Sequence, residues 1–125
     1  ALDLLALVVT AGAIALETVA DDQLRAFRRS DPPKGSIMKS GVWAWIRHPN
    51  YTGELGFWWG LWLFGVAADP SAWWWTLAGP LAMTAMFLGV SIPLIDKRHQ
   101  ERRPDYAAHM QDVPSLIPVP WRRAR

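Results

Sequence analysis

Every Lys and Arg in the chain, thirteen in all, falls into two segments, Arg25 to Arg47 and Lys97 to Arg125. No cation lies before Arg25 or between Arg47 and Lys97, and those stretches are apolar. A water-soluble domain spreads its cations over its whole surface, whereas this pattern fits helices that cross a bilayer. Leu4 to Ala20 is broken only by Gly12 and Glu17. At about 1.5 Å per residue it nearly covers a hydrocarbon core of about 30 Å. The helix is expected to run on through DDQLRAFRR, giving a first span over 4–29, with Asp21 and Arg25 as an (i, i+4) pair. Further spans are expected over 50–68 and 72–95, joined by a short turn at Ala67 to Ser71 that carries only Asp69. The positive-inside rule puts both basic segments on the cytoplasmic face and the turn on the other.

The expected fold is therefore an all-α multi-pass transmembrane bundle of three spans, followed by a cytoplasmic amphipathic segment over 96–125. Nine Trp among 125 residues support the membrane reading, because Trp favours the interface. There is no Cys, which excludes disulfides and Cys-based zinc sites. The chain opens at Ala1 without a Met or a basic n-region, and is expected to be the C-terminal part of a longer membrane protein. Ser30 to Ser40, rich in Pro, Gly and Ser, is expected to be a loop. Pro80 and Pro93 are expected to bend the third span. The Pro-rich basic tail SLIPVPWRRAR is expected to lie along the interface.

The chemistry is concentrated where the second span begins, in WAWIRHPNYTGELGFWWGLWLFG. Pro49 suits the first turn of a helix, where a missing N–H has no partner to lose. Asn50, Tyr51, Glu54 and Trp58 then share a stripe. A carboxylate inside a membrane helix is costly unless it meets a protein cavity or reaches the interface, which makes Glu54 a functional candidate. A second polar group follows the third span, where Asp96, His99, Gln100 and Arg103 share a helical face. Pro104 interrupts it, and Tyr106 and His109 follow three apart. Both groups are expected at the same membrane face. A basic rim above a polar pocket suits an anionic ligand whose far end reaches the bilayer; attraction of anionic head groups alone explains the rim but not the stripe beneath it. No HExxH, GxGxxG or P-loop pattern is present, so no metal site is expected and a soluble Rossmann or nucleotide-hydrolase fold lacks support. Basic groups that flank membrane spans do not suggest a nucleic-acid partner.

RHPNYTGE with its aromatic span, then SIPLIDKRHQERRPDY and SLIPVP, resemble the C-terminal part of the steroid 5-alpha-reductase-like membrane proteins, especially a bacterial branch. ADDQLRAFR and the Lys34-Gly35 pair extend the resemblance over nearly the whole chain. RHP-x-Y-x-G is also shared with isoprenylcysteine carboxyl methyltransferases and phospholipid methyltransferases. Those relatives use S-adenosylmethionine and usually carry a Glu-Glu pair where this chain has Ile95-Asp96.

The resemblance implies an NADPH-dependent reductase acting on a CH–CH group of a lipophilic substrate, with S-adenosylmethionine-dependent methyl transfer to an isoprenoid or lipid as the alternative. A non-catalytic membrane anchor is a further reading. Carried over by residue, Asn50, Tyr51 and Glu54 would line the cofactor, and Asp96 and Tyr106 would take ribose or nicotinamide contacts; the catalytic pair is then expected to be Tyr51 as pocket acid with Glu54 as its support. Arg25, Arg28, Arg47, His48, Asn50, Asp96, Arg98, Arg102, Arg103 and Tyr106 would bind the cofactor, the arginines meeting its phosphates. In the reductases the substrate acid comes largely from helices upstream of this region.

Overall fold

The computed structural model describes residues 1–125. It is all-helical, apart from an isolated antiparallel bridge between Val119 and Arg122. Helix α1 is Leu2–Arg29 and helix α2 is Pro49–Ala68. Helix α3 runs Pro70–Arg102, and a short helix, α4, is Tyr106–Asp112. A single 3-10 turn, Gly41–Ala44, interrupts the loop between α1 and α2.

Helices α1 and α3 are long and apolar enough to cross a membrane. Large apolar side chains stand exposed along both, among them Leu4, Val8 and Ile14 on α1 and Leu81, Leu88 and Val90 on α3. Helix α2 coincides with the second expected span but, carrying Glu54 and several Trp and Gly, is not among the helices long and apolar enough to cross.

Helices α1 and α2 pack through small residues. Ala6, Ala13 and Ala20 are buried at seven-residue spacing on α1. Ala13 faces Gly53 and Gly56 of α2, with Glu17 beside Gly53 and Thr10 against Gly60. A Cβ on Gly53 would lie 2.8 Å from the Ala13 carbonyl oxygen, and one on Gly56 would lie 2.9 Å from Ala13 Cβ. A Cβ on Gly60 would collide with Thr10. Small residues let helix backbones approach where the hydrophobic effect cannot drive association. Gly53→Ala is therefore expected to destabilise the pair by about 1–3 kcal/mol, the usual range for overpacking. Comparison of thermal unfolding in detergent checks this, and an unchanged midpoint would contradict it.

The two interior prolines of α3, Pro80 and Pro93, leave their mark one turn upstream. The helix is interrupted at Leu77, three residues before Pro80. It widens into a π-turn over Phe87–Ser91, just before Pro93. A proline has no N–H to give to the carbonyl four residues back, and a π-turn absorbs the misfit. The widened turn buries Phe87, which forms a small core with Leu55 and Ile92 against Tyr51 and Leu116. Helix α3 does not stop where its apolar run stops. It continues through DKRHQER to Arg102, so Asp96 stands inside a helix that also carries apolar residues.

Arg25 pairs with Asp22 at 2.9 Å, not with Asp21 as its spacing suggested. Both groups are exposed, so the pair contributes little to stability.

Candidate functional site

The two polar groups expected at one face do meet. Arg47 and His48 end the loop before α2, and Asp96 comes to them from α3. Its carboxylate accepts from Arg47 Nη2 at 2.9 Å, from His48 Nε2 at 2.8 Å and from the Tyr106 hydroxyl at 3.2 Å. All are buried: the Arg47 and Asp96 side chains are 9% and 6% exposed. An ionised carboxylate only accepts, so His48 presents its Nε2 hydrogen here.

Arg47 also reaches beyond Asp96. Its Nη1 donates to the carbonyls of Met110 and Val113, at 3.2 and 2.8 Å, and so binds the end of α4. The backbone continues this seam. Arg47 N–H donates to Pro114 O at 2.9 Å, His48 N–H to Ser115 O at 3.1 Å, and the Thr52 hydroxyl to Leu116 O at 2.6 Å. Arg47 Nε is buried without a partner.

Beside this hub lies a cavity of about 900 Å³, within the usual size of a small-molecule site. The end of α1 contributes Leu24, Phe27 and Arg28, and the following loop contributes Pro32 to Met38. Trp43, Arg47, His48, Asn50 and Tyr51 form one wall; His99, Arg102, Arg103, Tyr106 and His109 form the other. The loop is shaped by Gly35, whose φ of +89° favours glycine, and by Gly41 at φ +60°, where any side chain would meet Gln23. Gln23 Oε1 accepts from Val42 N–H at 3.0 Å, and Trp43 Nε1 donates to Ala20 O at 3.0 Å. These bonds fix the loop on α1.

Arg103 Nε donates to Ser36 O at 2.9 Å and closes the loop over the cavity. Its Nη1 lies 2.7 Å from His99 Nδ1. A guanidinium only donates, so His99 accepts there and carries any ring hydrogen on Nε2. Aromatic rings line the interior. Tyr51 lies between His48 and Phe87, with centroids 5.4 and 4.8 Å away, and Tyr106 lies between His99 and His109 at 4.9 and 5.6 Å. Burial, then the Asp96 carboxylate beside it, pushes the Tyr106 phenol well above its usual range, so it remains a donor. Burial, then the charge of Arg47, holds His109 below the ordinary imidazole range and favours its neutral form.

The expected site residues thus separate by place. Arg28, Arg47, His48, Asn50, Tyr51, Arg102, Arg103 and Tyr106 line the cavity. Asp96 stands behind its wall. Arg25 lies outside with Asp22, and Arg98 is exposed and outside as well. Glu54 is half-buried one turn deeper, near enough to Glu17 of α1 for their charges to interact, and makes no hydrogen bond to the Asp96–Arg103 face. Trp58 is exposed. The cavity residues without an earlier role are Leu24, Phe27, Trp43, Ile95, Glu101, His109 and the loop Pro32–Met38, Glu101 being the one carboxylate among the lining residues. Their composition signalled a loop and an interface Trp, but not which surface the loop would cover.

The family model described as "Protein of unknown function (DUF1295)" matches residues 1–113, which include both walls of the cavity. The chain belongs to the DUF1295 family. DUF1295 is associated with steroid 5-alpha-reductase-like proteins, in keeping with the motifs that form the Arg47–Tyr51 turn. An uncharacterised protein of Schizosaccharomyces pombe is 33% identical over 79 residues, or 63% of this DUF1295 chain. The match spans 23% of that relative's length. No solved structure matches the chain.

Proposed function

We propose that the chain forms the cofactor-binding part of a membrane-embedded NADPH-dependent reductase. Its substrate would be lipophilic, with an enone or sterol-like double bond, and would enter from the bilayer. The three helices would all cross the membrane, with the cavity on the cytoplasmic side. The observation that carries the reading is that one cavity gathers cations from both basic segments over an aromatic interior. Arg28, Lys34 and Arg102 line it without an ion-pair partner. Such a donor set fits the phosphates of a dinucleotide, which arginine binds with two-pronged geometry.

In this reading Arg28, Arg102 and Arg103 would hold phosphates, while Asn50 and Tyr106 would meet ribose or nicotinamide. When bound there, NADPH supplies a hydride to a substrate carbon. The protein's own contribution is a proton. Tyr51 lines the cavity, and its ring is held by His48 and Phe87. Its hydroxyl is the group proposed to protonate or polarise the substrate. Glu54 has no bond to Tyr51 and would act on it only through its charge.

The RHP-x-Y-x-G turn also lines the cavity, which keeps S-adenosylmethionine as the competing ligand and methyl transfer as the second reading. Unpaired arginines favour the dinucleotide, because S-adenosylmethionine carries a cationic sulfonium and no phosphate.

The test is the affinity of the full-length protein for NADPH. Arg102→Ala is expected to weaken it by about 1.5–3 kcal/mol, the range for hydrogen bonds to charged groups, or about tenfold to a hundredfold. Arg103→Ala is expected to do the same and also to lower thermal stability, because it releases Ser36 and His99. Arg103→Lys should recover only part of either loss. Unchanged NADPH affinity in both alanine variants would defeat this assignment.

A further inference from the structure

After α4 the chain leaves helical structure but is closely held. Ser115 and Leu116 are bonded to the start of α2, at His48 and Thr52. Leu116 packs on the Leu55–Phe87–Ile92 core, where the apolar part of the bundle begins. The next residue, Ile117, turns outward and is 73% exposed. The bridge between Val119 and Arg122 then makes a tight turn whose tip carries Trp121, 82% exposed. No large apolar side chain in the protein is more exposed than these two.

This turn is rigidly mounted. Arg122 Nη2 donates to the Met110 and Gln111 carbonyls at 3.1 and 2.8 Å, and Ala124 N–H donates to Ala44 O at 2.7 Å. Arg123 lies over the Trp45 ring at 5.3 Å, a cation–π contact beside another exposed Trp. Arg123 and Arg125 have no carboxylate partner. Exposed, preformed apolar side chains beside uncompensated arginines, one residue on from Leu116 on the apolar core, fit a partner that is both apolar and anionic.

We propose that the Ile117–Trp121 turn is a wedge that inserts into the interface of an anionic bilayer, with Arg123 and Arg125 binding lipid phosphates. Trp and Arg suit those depths, and basic residues near an anionic surface are attracted to it. The inference rests on the chain being membrane-embedded and does not depend on the reductase reading.

The chain has no Cys, so a single label can be placed in it once any cysteine elsewhere in the full-length protein has been replaced by Ser. Full-length protein carrying a nitroxide at Pro120→Cys would be reconstituted in two kinds of vesicle. One kind is phosphatidylcholine alone and the other is phosphatidylcholine mixed with phosphatidylglycerol. The label is expected to be shielded from a water-soluble relaxant and open to oxygen, and to shift deeper in the phosphatidylglycerol vesicles. Arg123→Ala with Arg125→Ala should abolish that shift while lowering thermal stability only slightly, since both side chains are exposed and only the Arg123–Trp45 contact is lost. Equal water exposure in both vesicles would overturn the wedge. So would a depth shift that survives the double substitution.

Discussion

Asp96→Ala is expected to destabilise the protein by about 3–5 kcal/mol, because it strands a buried cation. Arg47 is 9% exposed as a side chain, and Asp96 is its counter-ion at 2.9 Å. Without the carboxylate, the guanidinium keeps only the Met110 and Val113 carbonyls. His48 and Tyr106 lose their acceptor in the same step. The loss should spread to the seam that holds residues 114–116 on α2, since Arg47 and His48 anchor it. Asp96→Asn should cost less, as one carbonyl oxygen remains to accept, but it leaves Arg47 without a neutralising charge. Thermal unfolding of the detergent-solubilised variants tests the order wild type, Asn, Ala. An Ala variant as stable as wild type would mean that the hub does not hold the site together.

Tyr51→Phe is expected to lower reductive turnover by about a hundredfold to ten-thousandfold, the usual contribution of a positioned proton donor. NADPH affinity should change little, because Phe keeps the ring contacts with His48 and Phe87. A fall in turnover without a matching rise in NADPH dissociation separates a chemical role from a binding role. Glu54→Gln should have a smaller effect in the same direction, since Glu54 sits below the cavity and touches Tyr51 only through its field. The measurement is loss of NADPH absorbance with a lipophilic enone. If Tyr51→Phe turned over like wild type, the proton would have to come from elsewhere, including helices outside this chain.

The bounds of α1 and α2 were legible because apolar runs and Pro49 mark them directly. The polar end of α3 was legible too, since Asp96, His99, Gln100 and Arg103 share a helical face that Pro104 interrupts. Nothing in DKRHQER breaks a helix, so the helix passes the apolar boundary at Ile95 and stops only near Pro104. Pro93 announced a bend but not a π-turn, because the choice between a kink and an extra residue depends on what Phe87 packs against. Of the residues on the shared stripe, Asn50 and Tyr51 reach the cavity and Glu54 does not. A helical face says which residues align, not how deep the cavity reaches along them.

Asp96 shows the same limit. Its partners Arg47 and His48 are 49 and 48 residues away, so no local pattern distinguishes a carboxylate turned to ligand from one turned to a buried arginine. The small residues Gly53, Gly56 and Gly60 were visible, yet their meaning required Ala13 and Thr10 to be seen opposite them.

If the cavity between the two basic segments binds a dinucleotide, that ligand should stabilise the native protein. Thermal stability of the detergent-solubilised full-length protein should be followed during separate titrations with NADPH and with S-adenosylmethionine. A ligand that binds only the native state raises stability by RT ln(1 + [L]/Kd). NADPH should give a concentration-dependent rise, reduced in Arg102→Ala, and S-adenosylmethionine should give none. A rise with S-adenosylmethionine and none with NADPH would contradict dinucleotide binding and favour the methyltransferase, while a rise with neither would favour a membrane anchor.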